Sequence, residues 1–401
     1  MTNNGKKENT PEQKNNLIEK EIEAVKILLN GWSRQIILTG PPGTSKTYSA
    51  KRIANCLIEM QKEMQPGKPV DDGQIRNHLR DWNGKATINR DDPRCDIVQF
   101  HPSYNYEDFV RGIEVIPNEN AGNGVEVKPN ENAGNGVEGK PNPSGGITYK
   151  TVDKILGKMA KHAMKSALNL DSGKEAPLHV LIIDEINRAP LASVLGELIY
   201  ALEYRGDSVT TPYTVDNSPH LEIPDNLIII GTMNTADRSI GSIDYAVRRR
   251  FTFINLPPDE EVIKNQKEQD APKEKALRLF DAVSTLFGKK DNDESNDKNE
   301  TNGNGYMDPE FYAEDVQIGH TYFLAKSDAE LKHKFIYQVI PVLKEYIKDG
   351  ILINNPCLKF KITTSPTSSP TNTTDKPIYL SESFNKIKGE IESCWSKIYV
   401  G

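Results

Sequence analysis

Eight consecutive residues, Gly40-Pro41-Pro42-Gly43-Thr44-Ser45-Lys46-Thr47, limit what this chain can fold into more than any other stretch. Before them, Arg34 to Thr39 reads as a short buried strand. After them, Tyr48 to Met60 carries Ala50, Ile53, Ala54, Leu57 and Ile58 at helical spacing. Strand, glycine-rich turn and helix is the order a phosphate-binding loop requires. The turn presents successive backbone N–H groups to an anion, and the helix dipole adds to the attraction. In this reading Lys46 reaches the β- and γ-phosphates and the Thr47 hydroxyl ligates Mg²⁺. One position departs from the G-x-x-x-x-G-K-[ST] pattern: Ser45 stands where glycine is expected, and serine lacks glycine's easy access to positive φ.

Other segments read as strands of the same sheet. Leu178 to Glu185 is a continuous apolar run ending in two acids, and Asn226 to Thr232 is a second apolar run ending at Met233-Asn234. Runs without alternation are buried on both faces, which marks a parallel sheet, and ligands of such sheets lie at the C-terminal ends of the strands. Asp184 is therefore expected beside Thr47 at the metal, Glu185 as the group that polarises the attacking water, and Asn234 as the residue that orients this water and senses the γ-phosphate. Arg248, Arg249 and Arg250 precede a further strand, Phe251 to Leu256. They suit a helix C-cap, a DNA contact or, more sharply, an arginine finger acting on a neighbouring subunit's nucleotide.

The rest of the chain is expected to divide as follows. Residues 1–15 are polar and read as disordered, 16–258 as the nucleotide-binding core, 259–362 as a small helical lid with a hydrophilic break at 289–305, 363–377 as a Ser/Thr/Pro linker, and 378–401 as an amphipathic C-terminal helix. Within the core a helix is expected from Thr151 to Leu170 and another from Leu191 to Tyr204. Ile116 to Val127 is nearly restated as Lys128 to Gly139, and a third copy begins at Lys140. Two and a fraction Asn/Gly/Pro-rich units cannot stack a core, so 116–146 reads as an expanded hairpin or loop insertion. The net charge of −7 argues against a chain that is basic throughout, which leaves DNA to local patches or partners. Four scattered cysteines and the absence of a signal core or a membrane-length apolar run point to a cytoplasmic protein. With so little chain ahead of the core, no N-terminal recognition domain is expected.

Ile183-Asp-Glu-Ile-Asn-Arg188, Met233-Asn-Thr-Ala-Asp-Arg-Ser239, Asp244-Tyr-Ala-Val-Arg-Arg-Arg-Phe251, Val98 to Phe109 and Gly319-His-Thr-Tyr-Phe323 together resemble the McrB-type AAA+ NTPases of methylation-dependent restriction systems. The resemblance covers roughly Gln35 to Tyr346 and implies an α/β fold, an AAA+ P-loop core whose parallel sheet is flanked by helices, followed by a helical lid. It also implies a hexameric ring with nucleotide at the subunit interfaces, and a partner resembling the McrC-like nuclease subunit. By motif it gives Asp184 and Glu185 the metal and hydrolysis roles, Asn234 and Asp237 a sensing role, and Arg249 with Arg250 the finger role in trans. ATP and GTP both remain open as substrate, because no residue is identified that reads the base. A MoxR-like ATPase that remodels a protein partner is the alternative use of the same core.

Overall fold

A computed structural model describes residues 16–63, 70–82, 94–116, 148–168, 175–237, 243–268, 270–288, 306–363 and 373–398. The expected disordered start, the repeat at 117–146 and the break at 289–305 lie outside these residues. A five-stranded sheet forms the centre, built from β1 (Gln35–Gly40), β2 (Cys95–Gln99), β5 (His179–Asp184), β8 (Leu227–Asn234) and β9 (Thr252–Asn255) in the order β2-β5-β8-β1-β9. Every neighbouring pair is parallel.

The two faces of the sheet bury alternate side chains of the same strands. Ile37, Leu181, Ile183, Leu227 and Ile229 enter one core with the helix Ile155–Leu168 and the short helices Leu191–Leu195 and Leu198–Glu203. Ile36, Leu38, Val180, Ile182, Ile228 and Ile230 enter the other with α1 (Asn16–Leu29), α2 (Lys46–Glu63) and α3 (Asp72–Asp81). This double burial explains the unbroken apolar runs, since each residue faces helices whichever way it points. Full burial of one such side chain stabilises the fold by roughly 1.5–3 kcal/mol.

Two antiparallel hairpins project from the core. The first pairs β3 (Arg111–Ile116) with β4 (Thr148–Asp153). The expected helix from Thr151 therefore starts later, at Ile155, because Thr148–Asp153 finds its partner strand across the repeat. The second pairs β6 (Ser208–Val215) with β7 (Ser218–Glu222), and its turn residues Asp216 and Asn217 both have positive φ, as the tight turn of a twisted hairpin demands. Arg111 locks the two hairpins together. Buried, it donates from Nε to Asp153 at 2.8 Å, from Nη1 to the Thr211 hydroxyl at 2.7 Å and from Nη2 to the His220 carbonyl at 3.0 Å. The expected helix Leu191–Tyr204 is broken in two at Gly196, whose φ of 53° is left-handed.

Beyond β9 lies the lid, with its own core. The helices Glu260–Lys264, Lys273–Ser284, Asp328–Lys334 and Ile340–Lys348 share that core with Leu358 and Phe360 of β10 (Cys357–Thr363), Ile378 of β11 (Thr373–Tyr379), and Ile387, Ile391 and Trp395 of the C-terminal segment. The linker expected at 363–377 is thus corrected in part: Thr373–Tyr379 is a strand, paired antiparallel with β10. Its Thr/Lys/Pro composition hid an edge strand whose one buried anchor, Ile378, packs into the lid. The C-terminal helix runs from Phe384 to Cys394, and Trp395 fastens it by donating from Nε1 to Asp328 at 2.8 Å. Among the described residues, no helix is long and apolar enough to cross a membrane.

Candidate nucleotide site

The C-terminal ends of β1, β5 and β8 meet at one edge of the sheet, where Gly40 stands opposite Asn234 in register. From Gly40 the chain turns into α2, and Lys46 and Thr47 open that helix. Gly43 and Ser45 both take positive φ, 82° and 66°. The serine therefore adopts the left-handed backbone that the pattern reserves for glycine. The Lys46 ammonium folds back onto the loop and donates to the Gly40 carbonyl at 2.9 Å and the Pro41 carbonyl at 2.7 Å. Burial pushes its pKa down to about 8, against the opposing pull of Glu185 and Asp184.

The acids lie where the strand ends put them. Thr47 Oγ1 donates to Asp184 Oδ1 at 2.7 Å, so a hydroxyl and a carboxylate oxygen are already side by side. That pair of hard oxygen donors suits Mg²⁺, which needs few protein ligands when it also binds phosphate. Glu185, one residue further, sits at φ 54°, a left-handed position of the kind that costs about 1–3 kcal/mol and concentrates at functional sites. Asn234 donates from Nδ2 to Glu185 Oε1 at 2.5 Å, and Arg188 donates from Nε to Glu185 Oε2 at 3.2 Å. Asp237 lies nearby, with Arg188 Nη2 3.7 Å from its Oδ2; Arg238 and Ser239 of the same motif fall outside the described residues.

Two residues missed in the sequence organise this edge. Thr232, buried in β8, donates from its hydroxyl to Asp184 Oδ1 at 2.7 Å and accepts the Glu185 backbone N–H at 3.0 Å. A lone threonine near the end of an apolar strand, beside the strand that carries the acids, was the available signal. His320, fully buried in the lid, lies 2.9 Å by its Nε2 from the Ser45 hydroxyl. Around it the lid backbone is laced to the loop: Gly319 N–H donates to the Pro42 carbonyl at 2.9 Å and Thr321 N–H to the Gly43 carbonyl at 3.0 Å. The approach is so close that a Cβ on Gly319 would fall 2.1 Å from the Gly43 oxygen.

The arginines do not join this site within one chain. Gln35, the first residue of β1, holds the Arg250 carbonyl at 2.7 Å, which places Arg248–Arg250 at the opposite edge of the sheet from Gly40. One strand length, roughly 16 Å, separates the two edges. Arg249 and Arg250 both pair with Glu203, at 2.9 and 2.6 Å, but the Arg249 side chain is 62% exposed and that of Arg250 only 9%.

Two family models match the chain. An AAA domain (dynein-related subfamily) matches residues 91–251, and the McrB alpha-helical lid domain matches residues 305–351; together they cover just over half of the chain. The chain is also 29% identical, over 329 residues, to the Type IV methyl-directed restriction enzyme EcoKMcrB subunit of Escherichia coli (strain K12). The chain belongs to the McrB-type AAA+ family. The alignment takes in 79% of this McrB-type chain and 54% of the E. coli protein, so the chain spans about half the length of that relative. A second relative, the Type II restriction enzyme BsuMI component YdiS of Bacillus subtilis (strain 168), is 34% identical over 91 residues, 19% of this chain and 26% of that protein. The AAA match begins at residue 91, beyond the Gly40–Thr47 loop of this McrB-type protein, and does not take that loop in.

Proposed function

We propose that this McrB-type chain is a Mg²⁺-dependent nucleoside triphosphatase, binding and hydrolysing ATP or GTP as the motor or switch subunit of a DNA restriction or antiphage complex. The observation that carries the reading is the continuous set of bonds at the strand ends, from Thr47 through Asp184 and Thr232 to Glu185 and Asn234. It supplies two metal-ligand oxygens, a carboxylate for the attacking water and an amide that aims that carboxylate, all beside a loop able to hold phosphate.

In this reading the backbone N–H groups of Gly43 to Lys46 and the Lys46 ammonium hold the phosphates, and Thr47 with Asp184 holds the metal. Bound Mg²⁺ would neutralise charge on the phosphate oxygens. Glu185 accepts a proton from the attacking water, with Asn234 and Arg188 fixing its two oxygens and Asp237 close behind in the sensing position. Because the arginines lie at the far edge of their own sheet, they serve a neighbour's nucleotide, as a ring of identical subunits, a hexamer in this proposal, requires. Of the two, Arg249 is the more exposed and can leave Glu203 to reach out, and the covered Arg250 braces Glu203. The names of both relatives are those of restriction enzymes, which supports a separately encoded McrC-like nuclease subunit as partner, with DNA met through the partner or the assembled ring.

The test is steady-state hydrolysis of ATP and of GTP by the purified chain, together with its mass in the presence of each nucleotide. Glu185→Gln should retain nucleotide binding and assembly and lose turnover, and Lys46→Ala should lose binding. Wild-type turnover by Glu185→Gln would remove Glu185 from its role.

A further inference from the structure

Ser45 presents a physical problem that the phosphate loop by itself does not solve. A residue with a Cβ held at φ 66° is strained, and the loop needs that backbone for its N–H groups to converge. Something must hold it there. The atom in contact with its hydroxyl comes from 275 residues away, His320 Nε2 at 2.9 Å.

The hydrogen bonds around His320 fix its chemistry. The Asp259 backbone N–H donates to His320 Nδ1 at 3.2 Å, so Nδ1 carries no proton and the neutral ring carries its proton on Nε2. Nε2–H therefore donates to Ser45 Oγ. Asp259 is itself buried at the junction of core and lid, and its carboxylate accepts the backbone N–H of Leu17, at the start of α1, at 2.9 Å. A line of three bonds thus runs from α1 through the core–lid junction and the lid to the phosphate loop.

We infer that His320 is a positioning residue for nucleotide binding: seated in the lid, it holds Ser45 in the left-handed backbone that a glycine would adopt unaided, so the phosphate loop takes its binding shape only while the lid is docked. The inference rests on the proposed nucleotide site. It gives the serine a purpose, because a glycine here would bind irrespective of the lid, whereas Ser45 ties loop shape to lid position.

The experiment is a double-mutant cycle on the full chain, read as the affinity for adenylyl and guanylyl imidodiphosphate with Mg²⁺, alongside thermal melts without nucleotide. Releasing a strain of this kind should weaken binding about tenfold in His320→Ala. Ser45→Ala, which keeps the Cβ and removes the hydroxyl, should produce a similar loss, and combining the two should add little. In a Ser45→Gly background the further effect of His320→Ala should shrink to less than about threefold, even if the melts show the same destabilisation. An equal loss from His320→Ala in both backgrounds would make His320 a lid-packing residue and overturn the inference. Should His320→Ala fail to fold, Ser45→Ala decides: undiminished affinity there overturns it equally. Lys46→Ala serves as the control for the site itself, since binding that survives Lys46→Ala would refute the nucleotide site and not the tether.

Discussion

Thr232 Oγ1 lies 2.7 Å from Asp184 Oδ1, the same carboxylate oxygen that Thr47 reaches from the phosphate loop. The threonine thereby spaces the acid from β8 while accepting the backbone N–H of Glu185, and one hydroxyl sets the geometry of both acids.

Thr232→Val keeps the shape and removes both bonds. By analogy with groups that orient metal ligands, kcat should fall about 10- to 100-fold. Thr232→Ser should restore most of it. Parallel kcat and KM measurements check this, and a rise in KM with kcat intact would place Thr232 in binding instead.

Arg249→Ala should lower turnover about 10³-fold or more, the range of an arginine finger. Mixing it with Lys46→Ala subunits should recover part of the rate, since each chain then supplies what the other lacks. Arg250→Ala should chiefly lower the melting temperature, because Arg250 is nearly covered and braces Glu203. A less than tenfold loss in the variant that combines Arg249→Ala with Arg250→Ala would exclude the finger role.

Acid should unfold the chain partly through His320. Burial, and secondarily the Lys46 charge, hold its pKa at about 4, below the ordinary 6.5. The groups facing it are Lys46 from α2, Asp259 from the core–lid junction and the Ser45 hydroxyl. Below pH 6.5 the unfolded chain binds this proton and the folded chain does not, so stability present above 6.5 is lost as pH falls toward 4. The loss from this group amounts to about 3 kcal/mol. Urea titrations of wild type and His320→Gln across that window should diverge in slope, the variant being flatter; parallel slopes would refute the assignment.

Arg111→Met should cost about 3 kcal/mol of stability, because among the described residues it leaves buried Asp153 with Lys161 alone as a charged partner. Denaturant melts measure this directly, and the isolated effect on nucleotide affinity should be small since Arg111 binds the hairpins and not the loop.

What could be read from the sequence was whatever chain neighbours encode. The loop Gly40 to Thr47 and the acids at the end of β5 are contiguous strings, and the runs in β1, β5 and β8 lack alternation because both sides of the sheet are covered. The hidden parts depend on pairing between distant residues. Thr148–Asp153 looks like the start of the following helix until its partner across the repeat is known, and Thr373–Tyr379 looks like a linker until β10 is set beside it. His320 was visible within a recognisable string, but its contact with Ser45 spans two domains, and no local pattern announces such a contact.

The β3–β4 hairpin closes with Ile116 opposite Thr148, so the two ends of the stretch between them are fixed side by side whatever its length. The repeat recurs at Pro117, Pro129 and Pro141, a unit of twelve residues. The pairing itself is made by described residues, from Arg111 with Asp153 to Ile116 with Thr148, so a variant with residues 118–141 deleted should keep the hydrolysis rate of the full chain. Turnover that survives the deletion would make this hairpin a point where the gene can gain or lose a twelve-residue unit while the strands carrying Arg111 and Asp153 stay paired.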